Sequence, residues 1–244
     1  MASLTNIKIK KELTTKEKRI ILITVLYNTV MEGEKRGKTN RRCVRTYSGM
    51  CERGIFRESF SEASLRSIAA KADTTTGSIY SRYGGKEELF GEIVEPAAEY
   101  LIAMFTRTQE NFHAMDVEEQ PKKMERTVQN GMHEMLDYIY ENFETFELLL
   151  DASYGTKFQH FVECLVEIET KYTYRYMEDM HMAKQTQNVI TEDFVHIMTT
   201  ALFESVFEVV RHKMTKEDAV RYIDMLSLYH YAGWDAILKI SEEE

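Results

Sequence analysis

The sequence predicts an all-α protein. Three features carry the prediction. From Ser61 onward apolar residues recur at helical spacing, no stretch alternates like a half-buried strand, and the 244 residues include only two prolines and 11 glycines. Ser or Thr also stands ahead of several apolar stretches, where its hydroxyl can cap a helix N-terminus.

The elements follow in order. Ser64 suits the N-cap of a short helix carrying Leu65, Ile68, Ala69 and Ala72 on one stripe. Asp73 and Thr74 break that stripe. Thr75 can cap a second short helix with Gly77, Ile79, Tyr80 and Tyr83, which Gly84-Gly85 ends. Two short helices joined by a tight turn form a helix-turn-helix, whose second helix can enter the DNA major groove. A third helix runs from Lys86 to about Phe112, and Pro96 is expected to kink it. The next starts near Pro121, a favourable first-turn position, and reaches Tyr140. A short helix covers Phe143 to Ala152. After the Tyr154-Gly155 turn a long one runs from about Lys157 to His181. The last two span Glu192 to Arg211 and Lys216 to Ile240, each behind a Thr. No repeat appears, and the one low-complexity tract is the acidic tail Glu242 to Glu244.

Residues 61–90 resemble the TetR family of transcription regulators. Leu65, Arg66, Ile68, Ala69, Ala72, Thr75, Gly77, Ile79, Tyr80, Tyr83, Lys86, Glu87, Leu89 and Phe90 fall in register with that family's pattern. Asp73-Thr74 departs from it, because Gly-Val is usual there. Asp tolerates the left-handed conformation that Gly takes freely, at some cost. Tyr83 stands where Phe is usual. The resemblance implies an N-terminal DNA-binding domain at residues 61–90. A helical ligand-binding and dimerisation domain over residues 91–244 follows it. Residues 1–60 form an atypical segment ahead of both.

The implied function is a ligand-responsive transcriptional regulator, a repressor, binding double-stranded operator DNA as a homodimer. Thr75, Thr76, Ser78 and Arg82 are expected on the exposed side of the second helix, near base edges and phosphates. Tyr80 and Lys86 resemble family positions that hold the phosphate backbone, with packing of Tyr80 in the domain core as the alternative. The effector is a small molecule of unknown identity, held between body helices in an apolar pocket with a few polar groups. Fourteen Met, 14 Tyr and 12 Phe supply many candidates. Those selected are Tyr100, Met104, His133, Met135, Tyr138, Phe161, Tyr172, Tyr176, His196 and Phe203, although helical Met and aromatic stripes also fill cores. The last two helices are the expected dimer surface. Phe194, Ile197, Met198, Ala201, Leu202, Ser205 and Val209 share a face of one. Tyr222, Met225, Leu226, Tyr229, Gly233, Ala236 and Ile237 share a face of the other.

Composition narrows the remaining classes. The net charge of −9 is uneven: residues 1–90 hold 18 Lys and Arg against 10 Asp and Glu, residues 91–244 hold 13 against 30. The basic excess lies wholly in residues 1–60, since residues 61–90 are balanced at four against four. Cys43, Cys51 and Cys164 are odd in number, lack metal-ligand spacing and suit free thiols in a reducing cytoplasm. The apolar run Ile20 to Leu26 is too short to cross a bilayer. His133-Glu134 is not followed by a His at metalloprotease spacing, and no phosphate loop, Cys pair or nucleophile elbow appears. Neither catalysis nor a metal or cofactor is expected. Two other readings stay open: a helical ligand-binding or protein-interaction module without DNA binding, and a helical-bundle enzyme with a buried polar site.

The segment ahead of the helix-turn-helix is anomalous. A domain of this kind needs a preceding amphipathic helix, and residues 40–60 show none, with Gly49 and Gly54 breaking any period. Suitable codons for Tyr47 to Ser61, read one base later with one G restored at Ser59, give ILECAREEFLEKGFS. That string is amphipathic in helical phase and runs straight into EASLRSIAAKA. One reading is therefore a frame error near Ser59. The other is a divergent arm, in which the basic run Lys35 to Arg45 touches phosphates.

Overall fold

A computed structural model describes Val25, residues 64–181 and residues 190–240. Val25 apart, the readings of residues 1–59, with Cys43 and Cys51, and of the acidic tail lie outside those residues. The described residues form helices and turns, with no strand among them. The chain divides into two compact units, Met1–Ile93 and Val94–Glu244.

In the first unit, α1 spans Leu65–Lys71 and α2 spans Thr76–Tyr83. Ser64 caps α1 by accepting from the Ser67 amide at 3.1 Å, and Thr75 caps α2 from the Ser78 amide at 3.1 Å. Between them Asp73 adopts φ 50°, the left-handed conformation that Asp tolerates better than most L-residues. Gly84 closes α2 at φ 97°, its amide donating to the Tyr80 carbonyl at 3.0 Å. A side chain there would be strained, so Gly is the residue that fits. Ile68, Ala69 and Ile79 are buried, as are Leu89, Phe90 and Ile93 on the first turns of α3, Lys86–His113.

The second unit contains the rest of α3, with Pro96 inside it, and five further helices among the described residues. These are α4 Gln120–Glu141, α5 Phe143–Ala152, α6 Phe161–Asp179, α7 Glu192–Arg211 and α8 Lys216–Ile240. Packing is most extensive between α6 and α7, then between α4 and α8. Phe146, Phe203, Phe207, Leu101, Leu136 and Ile139 are essentially inaccessible to solvent. Their aromatic members stack obliquely or edge-on, with Phe105 against Phe203 at 5.3 Å and Phe161 against Phe207 at 5.7 Å. Thr191 caps α7 through the Phe194 amide at 3.2 Å, and Thr215 accepts from the Asp218 amide at 3.2 Å at the start of α8.

One boundary differs from expectation. The sequence predicts a helix from about Lys157, yet α6 begins at Phe161. The Thr156 hydroxyl donates to the Ser153 carbonyl at 2.6 Å and accepts from the Phe158 amide at 3.2 Å. These local bonds offer the backbone an alternative to the helical ladder, and residues 153–160 form turns instead.

A charged contact fastens α5 to the turn between α7 and α8. Glu147 is only 2% exposed, and Lys213 reaches it with Nζ 2.5 Å from Oε1. Arg211 pairs with Glu204 and Glu208, each at 2.8 Å, near the end of α7.

Candidate functional site

Two regions carry functional geometry, one in each unit. The first is α2. Eight residues make little more than two turns, so Ile79 alone is buried, and it holds the helix to its domain. Most of the remaining helix surface is open, with Thr76 and Tyr83 partly covered. Thr75, Ser78 and Arg82 are exposed and Thr76 partly so. Tyr80 is 59% exposed rather than packed in the domain core. The Arg82 guanidinium lies 5.9 Å from the centre of the Tyr83 ring, which steadies that cation beside the exposed face. Lys86 is half-buried at the start of α3, and burial lowers its pKa from the ordinary value.

The second region is a partly open cavity of about 140 Å³ within the second unit. Five helices build its wall by simple periodicity, α7 contributing Leu202 and Phe203. On α3, Phe105, Thr108, Gln109, Phe112 and His113 share a face. On α6, Glu169, Tyr172, Thr173, Tyr176 and Met177 recur at the same spacing. α4 adds Met124, Val128, Gly131, Met132 and Met135, and α8 adds His230, Tyr231, Trp234 and Leu238. A Cβ at Gly131 would stand 3.3 Å from the Thr108 methyl, so Gly permits close approach of α4 to α3 at the cavity wall.

The polar groups of this apolar wall are few and mostly engaged. Gln109 Nε2 donates to Glu169 Oε2 at 2.5 Å. Burial pushes the Glu169 carboxyl up to about 7. Trp234 Nε1 donates to His230 Nε2 at 2.9 Å, and burial drives the His230 imidazole down to about 4. His113 Nδ1 lies 3.3 Å from Asp179 Oδ2. Burial lowers the His113 pKa, and the Asp179 contact works against that fall.

The sequence-selected ligand residues divide. Met135, Tyr172, Tyr176 and Phe203 line the cavity. Tyr100, Met104, His133, Tyr138, Phe161 and His196 do not. Tyr100 and Tyr138 stack on each other at 4.4 Å, and burial raises the Tyr138 pKa. Met104 is buried. His133 Nε2 meets Asp224 Oδ1 at 2.7 Å, joining α4 to α8. Phe161 sits in the core between Phe146 and Phe207. His196 lies 3.8 Å from Glu163. Choice by residue type passed over Glu169, Gln109, His230 and Trp234. The signal available for Glu169 was its phase, three residues before Tyr172 and seven before Tyr176.

The two faces named on the last helices also divide. On α7, Leu202 and Val209 are buried within the protomer, whereas Ile197 and Ala201 are exposed. On α8, Met225, Tyr229, Gly233 and Ala236 are exposed, with Leu228 beside them. Tyr229 is 73% accessible, and a Cβ on Gly233 would meet nothing within 4 Å.

Among the described residues no group of three or more His, Cys, Asp or Glu is placed to hold a metal ion. None of their helices is long and apolar enough to cross a membrane. Cys164 is exposed with a free thiol, and burial together with Glu167 raises its pKa.

Residues 53–93 match the family model for bacterial regulatory proteins of the tetR family. The helix-turn-helix is thus of the TetR type. The match begins inside the segment in which no amphipathic helix is legible. No curated protein matches the chain. Among solved structures, a candidate TetR-family transcriptional regulator of Mesorhizobium loti is similar at 14% identity. That similarity covers 91% of this chain and 98% of the other, with a TM-score of 0.48. A TetR-like transcriptional regulator of a Rhodococcus species is similar at 14% identity over 91% and 100% of the two chains, with a TM-score of 0.51. The latter likeness shows a shared all-α fold.

Proposed function

We propose that the chain is an effector-responsive transcriptional repressor that binds operator DNA as a homodimer. The observation that carries this reading is α2, a capped recognition helix of TetR type with Thr75, Ser78, Tyr80 and Arg82 turned to solvent. Thr75, Thr76, Ser78 and Arg82 meet base edges and phosphates, and Tyr80 and Lys86 hold the backbone. Two protomers joined through α7 and α8 bring two recognition helices to half-sites about 34 Å apart. The exposed apolar surface of Ile197, Met225, Leu228 and Tyr229 supports that pairing.

The cavity is the effector site. α3 supports a link between effector and DNA: it opens at Lys86 and contributes cavity residues from Phe105 onward. An effector that binds better to a body conformation with a different course of α3 shifts the population away from the DNA-binding state. A typical coupling of about 1–3 kcal/mol weakens DNA binding roughly 5- to 150-fold. Pro96 removes one helical hydrogen bond partway along α3 and marks where such a change concentrates.

The experiment is a gel shift with the DNA upstream of the chain's own gene, repeated across salt concentrations. Binding falls steeply with salt, and Lys86→Ala lowers the slope by about one unit. Salt-independent binding, or none, overturns the reading; an unchanged slope removes Lys86 from the interface.

A further inference from the structure

Among the described residues that line the cavity, the one acid, Glu169, has no Lys or Arg beside it. Glu169 takes one hydrogen bond from Gln109, and none of the cavity-lining residues is Lys or Arg. Its histidines do not supply the missing charge near neutral pH. His230 accepts from Trp234 at Nε2, which requires that nitrogen to be unprotonated, and burial lowers both His230 and His113. The other titratable groups on the wall are Tyr172, Tyr176 and Tyr231, which are neutral or negative in either state. Glu169 is part-buried, and a carboxylate withdrawn from water without a counter-charge is costly. Its carboxyl is accordingly held near the midpoint of its titration at neutral pH.

The surroundings suit a positive charge. α6 places Glu169, Tyr172 and Tyr176 on one face, and Phe112 and Trp234 complete the aromatic wall. Aromatic faces carry negative quadrupole density that attracts organic cations. Residues 91–244 hold 30 acidic against 13 basic side chains, which favours cation entry over anion entry.

We propose that this cavity takes a hydrophobic organic monocation, an alkyl- or arylammonium whose charged nitrogen meets Glu169 while its apolar body lies along the aromatic and Met wall. The proposal rests on the cavity being the effector site. An ammonium N–H donates to the Glu169 carboxylate and supplies the counter-charge that the described cavity wall does not. A carboxylate ligand meets repulsion at the same place, and a neutral ligand leaves the acid without a counter-charge.

Trp234 is the single Trp of the chain and lines the cavity, so its fluorescence reports occupancy at this site. Three probes of one shape are titrated into the purified full chain: biphenylmethylammonium, biphenylmethanol and biphenylcarboxylate. The ammonium is expected to bind at least about tenfold more tightly than the alcohol, and the carboxylate more weakly than both. Glu169→Gln brings the ammonium to the level of the alcohol, and continued binding of the alcohol serves as the folding control. Equal affinity of ammonium and alcohol, tightest binding of the carboxylate, an ammonium preference that survives Glu169→Gln, or no response to any probe overturns the proposal. A parallel gel shift separates this from the function itself. Release of DNA by the alcohol or the carboxylate leaves the effector-responsive repressor standing and removes only the cation. Absence of DNA binding removes the repressor, while the fluorescence still decides the ligand class.

Discussion

Glu169→Gln makes a prediction about stability that needs no ligand. Burial raises the Glu169 carboxyl from an ordinary 4.5 to about 7 in the folded chain. The folded state therefore holds this proton more tightly than the unfolded state. The group's contribution to stability is complete below about pH 4.5 and is lost as pH rises through about 7. At about 1.4 kcal/mol per unit, the loss is on the order of 3 kcal/mol. Gln cannot ionise, and its amide oxygen can still accept from Gln109. The variant should match the parent near pH 4.5 and exceed it by about 2–3 kcal/mol at pH 8. For a chain of this size that is about 4–12 °C in Tm. His113 and His230 act in the opposite sense, since their lowered pKa values cost stability in acid. They are present in both proteins, so the difference between variant and parent isolates Glu169. Thermal unfolding monitored by circular dichroism at pH 5 and pH 8 reads it directly. A Tm gap that is the same at both pH values refutes the reasoning, as does a variant less stable than the parent at pH 8.

Three further outcomes follow. Lys213→Met leaves the buried Glu147 carboxylate without its cation and should cost about 3 kcal/mol in urea denaturation. Adding Glu147→Gln should recover most of that, and a single variant within about 0.5 kcal/mol of the parent removes this pair from the stability account. Ala201→Glu and Gly233→Glu place charge on surface that is exposed in the protomer, so each should sediment as a folded monomer. If both variants remain dimeric, the interface lies away from α7 and α8. A chain carrying ILECAREEFLEKGF ahead of Ser61 should protect residues 64–72 from hydrogen exchange and bind operator DNA better than the present one. Strong protection and tight binding by the present chain end the frame argument.

Helix positions were largely legible because the devices that set them are local. Thr75, Thr191 and Thr215 stand ahead of apolar stripes and cap as their side-chain chemistry dictates. Asp73 was readable as a strained turn for the same reason, since its φ of 50° depends on one residue. The start of α6 was not, because the Thr156 bonds compete with helix only once the chain bends at Ser153. The cavity was half legible. Tyr172 and Tyr176 reveal its phase on α6. Which helix faces which, however, depends on packing among residues far apart in sequence, 60 positions between Gln109 and Glu169. Phe161 is as aromatic as Phe203, yet it fills the core, and periodicity alone cannot separate the two. Exposure on α8 was clearer, since Met225, Tyr229 and Gly233 fall on one stripe, whereas Leu202 on α7 shares its predicted face with residues that turned outward.

In the proposed DNA complex, the cap of α2 also constrains how a base sequence can be read. Thr75 Oγ1 accepts from the Ser78 amide at 3.1 Å and lies 2.9 Å from Ser78 Oγ. Each hydroxyl has one proton, and one of the two protons is spent between them. The pair therefore offers a single outward donor, carried by Thr75 or by Ser78 according to which way their shared bond points. A base that takes the proton from one residue turns the other into an acceptor. In the proposed repressor Thr75 and Ser78 act as one reversible reading head, and the effects of Thr75→Val and Ser78→Ala on operator preference should fail to add.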